Sequence, residues 1–258
     1  MLKIENVKKT FLAGTINEKR VLNGVDLTLE EGDFVTVIGS NGAGKSTLLN
    51  AIAGTFGVDE GKIYIDDVDI TKLPEYKRAK YIGRVFQDPM MGTASDMWIE
   101  ENLALANRRG TKRGLGQGIT NEERKIYKEL LAEFDLGLED RLDSKVGLLS
   151  GGQRQAITLI MATLKQPKLL LLDEHTAALD PKTAQKVLEI TDKIVEKYNL
   201  TTFMVTHNMK DAIKHGNRLI MMHEGQIVLD IRGEEKKKLT VEKLLSKFNI
   251  SDDGMLLK

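Results

Sequence analysis

The chain has 258 residues, 38 basic and 38 acidic side chains, 41% hydrophobic residues and no cysteine. That is the composition of an ordinary folded protein, long enough to bury a substantial core. It excludes a disulfide scaffold, thiolate zinc or iron–sulfur ligation and a cysteine nucleophile, and a formal charge of zero argues against a general nucleic-acid binder.

Alternation at Ile4 and Val7, then at Val21, Val25, Leu27 and Leu29, predicts two edge-type strands around a polar loop. Phe34–Ile38 is a short apolar strand that runs into a glycine-rich turn and then a helix from Lys45 to about Ala53. Two more strands are expected at Lys62–Ile65 and Ile82–Phe86. From about residue 90 to 165 helical spacing takes over, with Trp98, Leu103 and Leu105 on one helix, Ile126, Leu130, Leu131 and Phe134 on a second, and Ala156, Ile157, Ile160, Met161 and Leu164 on a third. After Pro167 strand and helix alternate again. Leu169–Leu172 and Thr202–Thr206 flank a helix that Asp180 caps and Pro181 starts. A hairpin, Leu219–Met222 with Gln226–Ile231, precedes a basic run and a helix from about Thr240.

The pattern predicts an α/β core, residues 1–89 and 166–258, interrupted by an all-helical insert, 90–165. The glycine-rich stretch Asn107–Thr120 carries four basic residues and reads as a solvated loop rather than a membrane or partner contact. The most apolar run stops at Asp173, far short of the roughly 18 residues of a membrane span. The opening MLKIENVKK has no apolar signal core, so a cytoplasmic protein is expected, with another polypeptide supplying any span.

Gly39-Ser40-Asn41-Gly42-Ala43-Gly44-Lys45-Ser46-Thr47 fits G-x-x-x-x-G-K-[ST] between a strand and a helix. The glycines let backbone N–H groups turn inward, and the helix N-terminus favours phosphate. Lys45 would reach the β- and γ-phosphates, and the Ser46 hydroxyl would ligate Mg²⁺. Ser150-Gly151-Gly152-Gln153 opens another helix. Ser150 and Gln153 fit a capping box that needs no ligand. The two glycines each weaken a first turn by about 1 kcal/mol, and fit a backbone that something approaches closely.

The strand Leu169–Leu172 ends in Asp173 and Glu174, which leave on opposite faces and so cannot share one task. His207 follows the strand at 202–206, at the end where ligands bind in α/β sheets. Gln87 lies where the core gives way to the insert: a neutral amide can ligate Mg²⁺ or orient water, or simply form a polar turn before Pro89.

Together these stretches resemble the ATP-binding-cassette (ABC) ATPases of membrane transporters, over essentially the whole chain and with every landmark in order. The resemblance implies a P-loop NTPase core with an antiparallel β subdomain and an all-helical insert. It implies ATP hydrolysis with Mg²⁺ in a head-to-tail homodimer holding two ATP molecules between its protomers. LLSGGQRQ looks like the signature motif that meets ATP on the other protomer. By resemblance Asp173 holds Mg²⁺ directly or through water, Glu174 is the general base or water-orienting group, His207 is the switch histidine that bonds the γ-phosphate, and Gln87 is the Q-loop residue, which couples nucleotide state to rotation of the helical insert. Asp180 matches a loop crossing the dimer, although it can simply cap its helix. Phe11 lies where an aromatic stacks on adenine, although a phenylalanine there also fits plain core.

Two departures stand out: His175 occupies a position where proline is commoner, and the segment after Gln87 lacks a frequent proline-plus-threonine pattern, which bears on the class of membrane partner. DEHTAALDPKTA with TASDMWIEENLALA resembles a branch of bacterial uptake-system ATPases for aromatic amino acids such as tryptophan. The implied protein is peripheral on the inner face of the membrane. It docks on separate transmembrane permease subunits, with an extracytoplasmic solute-binding protein and no nucleic acid. The alternative is a soluble ABC-type ATPase acting in complex assembly.

Overall fold

The computed structural model describes residues 1–111 and 118–251. The strands are β1 (Leu2–Phe11), β2 (Lys19–Leu29), β3 (Phe34–Ile38), β4 (Glu60–Ile65), β5 (Val68–Asp69), β6 (Ile82–Val85), β7 (Leu169–Asp173), β8 (Thr201–Val205), β9 (Arg218–His223) and β10 (Gln226–Arg232). The helices are α1 (Lys45–Ala53), α2 (Glu75–Arg78), α3 (Ile99–Asn107), α4 (Asn121–Glu133), α5 (Gly151–Thr163), α6 (Pro181–Tyr198), α7 (Met209–Lys214), α8 (Gly233–Lys237) and α9 (Val241–Ser251). Residues 112–117, the centre of the basic glycine-rich stretch, lie outside the described residues.

Two sheets form. The first has the order β2-β1-β4-β5 and is antiparallel throughout. The second has the order β10-β9-β3-β8-β7-β6, parallel except for β10. β3 and β8 are buried along their whole length, threonines included, as strands covered on both faces of a parallel sheet should be. Their side chains alternate between two cores. Leu169, Leu171, Phe203 and Val205 join α1 and the inner face of the antiparallel sheet, through Leu48, Ile52, Leu2 and Ile4. Leu170, Leu172 and Met204 join Leu103, Tyr127, Leu131 and Ile157 of the helical stretch and Leu188 and Ile194 of α6.

Three sequence expectations are corrected. β1 is an interior strand, because β4 pairs with its second edge, Leu2 opposite Ile65 and Ile4 opposite Ile63. In α4 Leu131 and the following Phe134 are buried and Leu130 packs against the core as expected, but Ile126 is exposed and Tyr127 is buried in its place. In α3 Leu103 and Ala104 are buried and Leu105 is exposed. The short α2 escaped prediction, yet its buried Arg78 donates to the carbonyls of Ala51 and Ile52 at 2.7 and 2.8 Å. A cation there satisfies carbonyls that the end of α1 leaves free. Among the described residues no helix is long and apolar enough to cross a membrane.

Candidate active site

Four parallel strands, β3, β6, β7 and β8, release their chains at one edge of the sheet; residues 39–47, Gln87, Glu174 and His207 follow those four ends, and Asp173 closes β7. The turn after β3 is shaped by left-handed glycines. Gly42 and Gly44 have φ of 84° and 99°, conformations that cost other residues about 1 kcal/mol or more. At Gly44 a Cβ would also lie 2.8 Å from the Val21 carbonyl oxygen. Only glycine lets the loop pass this close to β2. Asn41 and Gly42 form its exposed tip, Ala43 and Gly44 are buried, and Lys45 opens α1 with its side chain folded back under the loop. The Lys45 ammonium donates to the carbonyls of Gly39 and Ser40 at 2.7 and 3.0 Å. Burial pulls its pKa below the ordinary lysine value, while Glu174 and Asp173 pull it back up. Thr47, two residues further along α1, is half-buried.

At the end of β7, Asp173 accepts from the Ser46 hydroxyl at 3.3 Å. Burial pushes the Asp173 carboxyl above its usual range; Arg84, Ser46 and Lys45 oppose that shift and Glu174 adds to it. Glu174 takes a left-handed φ of 44°, rare for a residue with a side chain. Its N–H donates to the Val205 carbonyl at 3.0 Å, which fastens the strained residue to the end of β8. Its carboxylate then stands 3.3 Å from His207 Nδ1, with the histidine side chain 61% exposed. Gln87 is exposed two residues beyond Val85, which pairs with Leu172, so it leaves β6 beside the exit of Glu174 from β7. Ser46 and Asp173 offer a hydroxyl and a carboxylate to one point. That set suits a magnesium ion, which takes few protein oxygens and fills its shell with water and phosphate. Among the described residues no cluster of three or more His, Asp or Glu side chains is arranged for a metal.

The second glycine-rich helix start is organised differently. Gln153 N–H donates to Ser150 Oγ and Ser150 N–H to Gln153 Oε1, each at 3.2 Å, closing the capping box. Gln153 Nε2 reaches the Leu136 carbonyl at 3.3 Å, so these bonds stay within the surroundings of α5. A Cβ on Gly152 would fall 2.0 Å from the Thr183 methyl; the close approach inferred for this glycine is made by the chain itself, at the first turn of α6. Gly151 is exposed. Asp180 caps α6 by accepting from Thr183 N–H at 3.2 Å, and hydrogen bonding from the Thr183 hydroxyl, with this N–H second, holds its carboxyl below the usual range. Phe11, at the end of β1, packs edge-on against Phe56 with ring centroids 5.3 Å apart, and the Lys9 ammonium lies 5.6 Å from its centroid.

Two residues escaped the sequence reading. Arg84 on β6 donates to Asn50 Oδ1 at 2.5 Å and Thr55 Oγ1 at 3.0 Å, and faces Asp173 Oδ2 at 3.9 Å. Arg154 donates to the carbonyls of Gly147 and Leu149 at 2.9 and 3.2 Å, bracing the turn before Ser150. A charged residue inside an apolar strand was the available signal for Arg84. Arg154 lies inside LLSGGQRQ, but no role was read for it, because an arginine in a helical first turn normally faces solvent.

A glycine-rich loop over a lysine, a hydroxyl–carboxylate pair and a carboxylate–histidine pair at one sheet edge are what binding and hydrolysing a nucleoside triphosphate require. Comparison with known proteins bears this out. The family described as ABC transporter matches residues 22–177. A "Tyrosine transport ATP-binding protein" of Clostridioides difficile (strain R20291) is 49% identical over 248 residues, 96% of this chain and 98% of the relative. An "Energy-coupling factor transporter ATP-binding protein EcfA2" of Clostridium acetobutylicum is 35% identical over 88% of this chain and 78% of the relative. Among solved structures, an ATP-binding cassette seen as a dimer in a post-hydrolysis state with ADP and Pi superposes with a TM-score of 0.74 at 31% identity, covering 90% of this chain and 98% of its own. Fold, site and kinship agree: the chain belongs to the ABC transporter family, as an ATP-binding subunit that hydrolyses ATP.

Proposed function

We propose that this chain drives an importer of a small solute, with tyrosine the first candidate, by closing as a head-to-tail homodimer on ATP and reopening after hydrolysis. The observation that carries the chemistry is the Glu174–His207 contact, 3.3 Å long, one residue beyond a carboxylate bonded to Ser46. The backbone N–H groups of residues 39–47 and the Lys45 ammonium bind the phosphates. Ser46, Asp173 and Gln87 hold Mg²⁺, which screens phosphate charge when bound. Glu174 accepts a proton from the attacking water as its oxygen bonds to the γ-phosphorus and the bond to the ADP oxygen breaks. His207 donates a hydrogen bond to the γ-phosphate and, through Nδ1, keeps Glu174 in place. Phe11, braced by Phe56, stacks on the base. Ser150–Gln153 and Asp180 meet the ATP held by the second protomer; the exposed Gly151 and the mutually satisfied capping box leave that helix terminus accessible to a phosphate.

Residues 90–165 form the insert that docks on separate permease subunits at the cytoplasmic face of the membrane, and an extracytoplasmic binding protein delivers the solute. The sequence pointed to an aromatic amino acid, and the 49% identical relative named for tyrosine transport narrows that choice. Cells lacking this chain should lose most uptake of labelled tyrosine and regain it with the wild-type chain. The tagged chain should co-purify with a multi-span membrane protein. Undiminished uptake together with only soluble partners would sink the proposal in favour of an assembly ATPase.

A further inference from the structure

The exit from β6 is fastened by a side chain that has no part in the chemistry above. Gln155 lies on α5 among the buried Ala156, Ile157, Leu159 and Ile160, and is itself fully buried. Its Nε2 donates to the Phe86 carbonyl at 2.9 Å. Phe86 is the residue immediately before Gln87, and its ring carries the Arg84 guanidinium at 4.4 Å from the centroid. That guanidinium also faces Asp173. Among the described residues no donor meets Gln155 Oε1, although the atom is buried. Burying an amide with one end unmatched costs about 1–3 kcal/mol, whereas leucine or methionine would fill the same space without that cost. Packing alone therefore does not account for a glutamine here. Its bond to Phe86 does something that packing cannot: it fixes a backbone carbonyl outside regular structure, next to a residue of the site.

We infer that Gln155 is a positioning residue for Gln87. Its amide anchors the Phe86 carbonyl, sets the direction in which Gln87 leaves β6, and ties that direction to the seat of α5, the helix that Ser150 caps. A displacement of α5 carries the anchor with it. This inference rests on the reading of Gln87 as a residue at the reacting phosphate.

The test uses Q155M in the full chain, since methionine keeps length and volume and removes both ends of the amide. Its kcat for ATP hydrolysis should fall about ten-fold with KM and equilibrium ATP affinity within about two-fold, as misplacement of a group near the reacting atoms predicts. Q87A should also be slow, and Q87A/Q155M should be no slower than Q87A, because the second substitution has nothing left to misplace. Q155M at full rate beside a slow Q87A overturns the inference and leaves the Gln87 reading intact; losses that simply add in the double variant overturn it equally. Q87A at full rate removes the Gln87 reading and the inference with it. Q155A, which leaves room for water at the Phe86 carbonyl, is the second variant and should show the same split. If neither folds, Gln155 is a core residue and the inference fails.

Discussion

Two helices in this chain begin with glycines, and the two beginnings are built for opposite situations. Before α1, the glycines hold left-handed backbone and the Lys45 ammonium is tucked beneath the loop. No side chain caps that helix, so its first N–H groups are free for a ligand. Before α5, Ser150 and Gln153 cap each other, and Gly152 makes room for Thr183. One terminus is left open by its own chain, while the other is satisfied internally and presents one exposed glycine. An open terminus binds alone. A satisfied one is suited to close over a ligand already held elsewhere, where it adds little until the second protomer arrives.

The largest expected effects separate the two. K45A removes a charge-assisted contact and should weaken ATP binding by the isolated chain about a hundred-fold, roughly 3 kcal/mol. S150A should leave the same affinity unchanged in an equilibrium titration. Equal losses in both variants would break the distinction. E174Q keeps the loop intact and should retain ATP affinity while phosphate release falls at least about a hundred-fold, the range for losing a general base. It should also accumulate as an ATP-bound dimer, visible by light scattering. Adding G151D to E174Q sharpens the contrast. An aspartate at the first helical position suits the dipole of α5, but its carboxylate would face phosphate across the dimer. The dimer should vanish while ATP binding by the single chain persists.

The next effect lies within the chain. G152A drives a methyl group against Thr183, and overpacking of this kind costs about 1–3 kcal/mol. T183S deletes the opposing methyl, so G152A/T183S should recover most of the stability lost in G152A, as measured by urea unfolding. No recovery would mean that the glycine serves something other than the contact with α6.

Legibility in the sequence followed the range of the interactions. The phosphate loop, the paired carboxylates after Leu172 and the Ser150 capping box are local patterns, and each stands where its spacing predicted. β3, β7 and β8 were legible because a parallel strand covered on both faces reads as a short run of apolar and β-branched residues. The interior position of β1 was not, since it depends on pairing with β4, which lies beyond α1. The exchange of Ile126 for Tyr127 on the buried face of α4 was hidden because both are apolar enough to face a core, and tertiary packing chose the tyrosine. Arg84 carries no motif, and Gln155 closes LLSGGQRQ without a role its position announces; their partners, Asp173 at the end of β7 and Phe86 just after β6, are distant in sequence. The match between Gly152 and Thr183 joins two helix starts that the sequence presents as unrelated.

The smallest effect compares two caps of different chemistry at adjoining helix starts. Ser150 Oγ is a neutral acceptor, and S150A should cost about 1 kcal/mol, a fall of roughly 2–4 °C in melting temperature for a chain of this size. Nothing in that bond titrates, so the difference from wild type should stay level between pH 7 and pH 3. Asp180 performs the same task on α6 with a carboxylate whose pKa is lowered by its bond to Thr183. A group with a depressed native pKa stabilises the fold above its unfolded value, near 4, and that contribution disappears as pH falls through the native value. The stability difference between wild type and D180N, whose amide oxygen caps without ionising, should therefore shrink on acidification from about pH 5 downwards. If the S150A difference shrank instead and the D180N difference held level, the assignment of one neutral and one charged cap would be wrong.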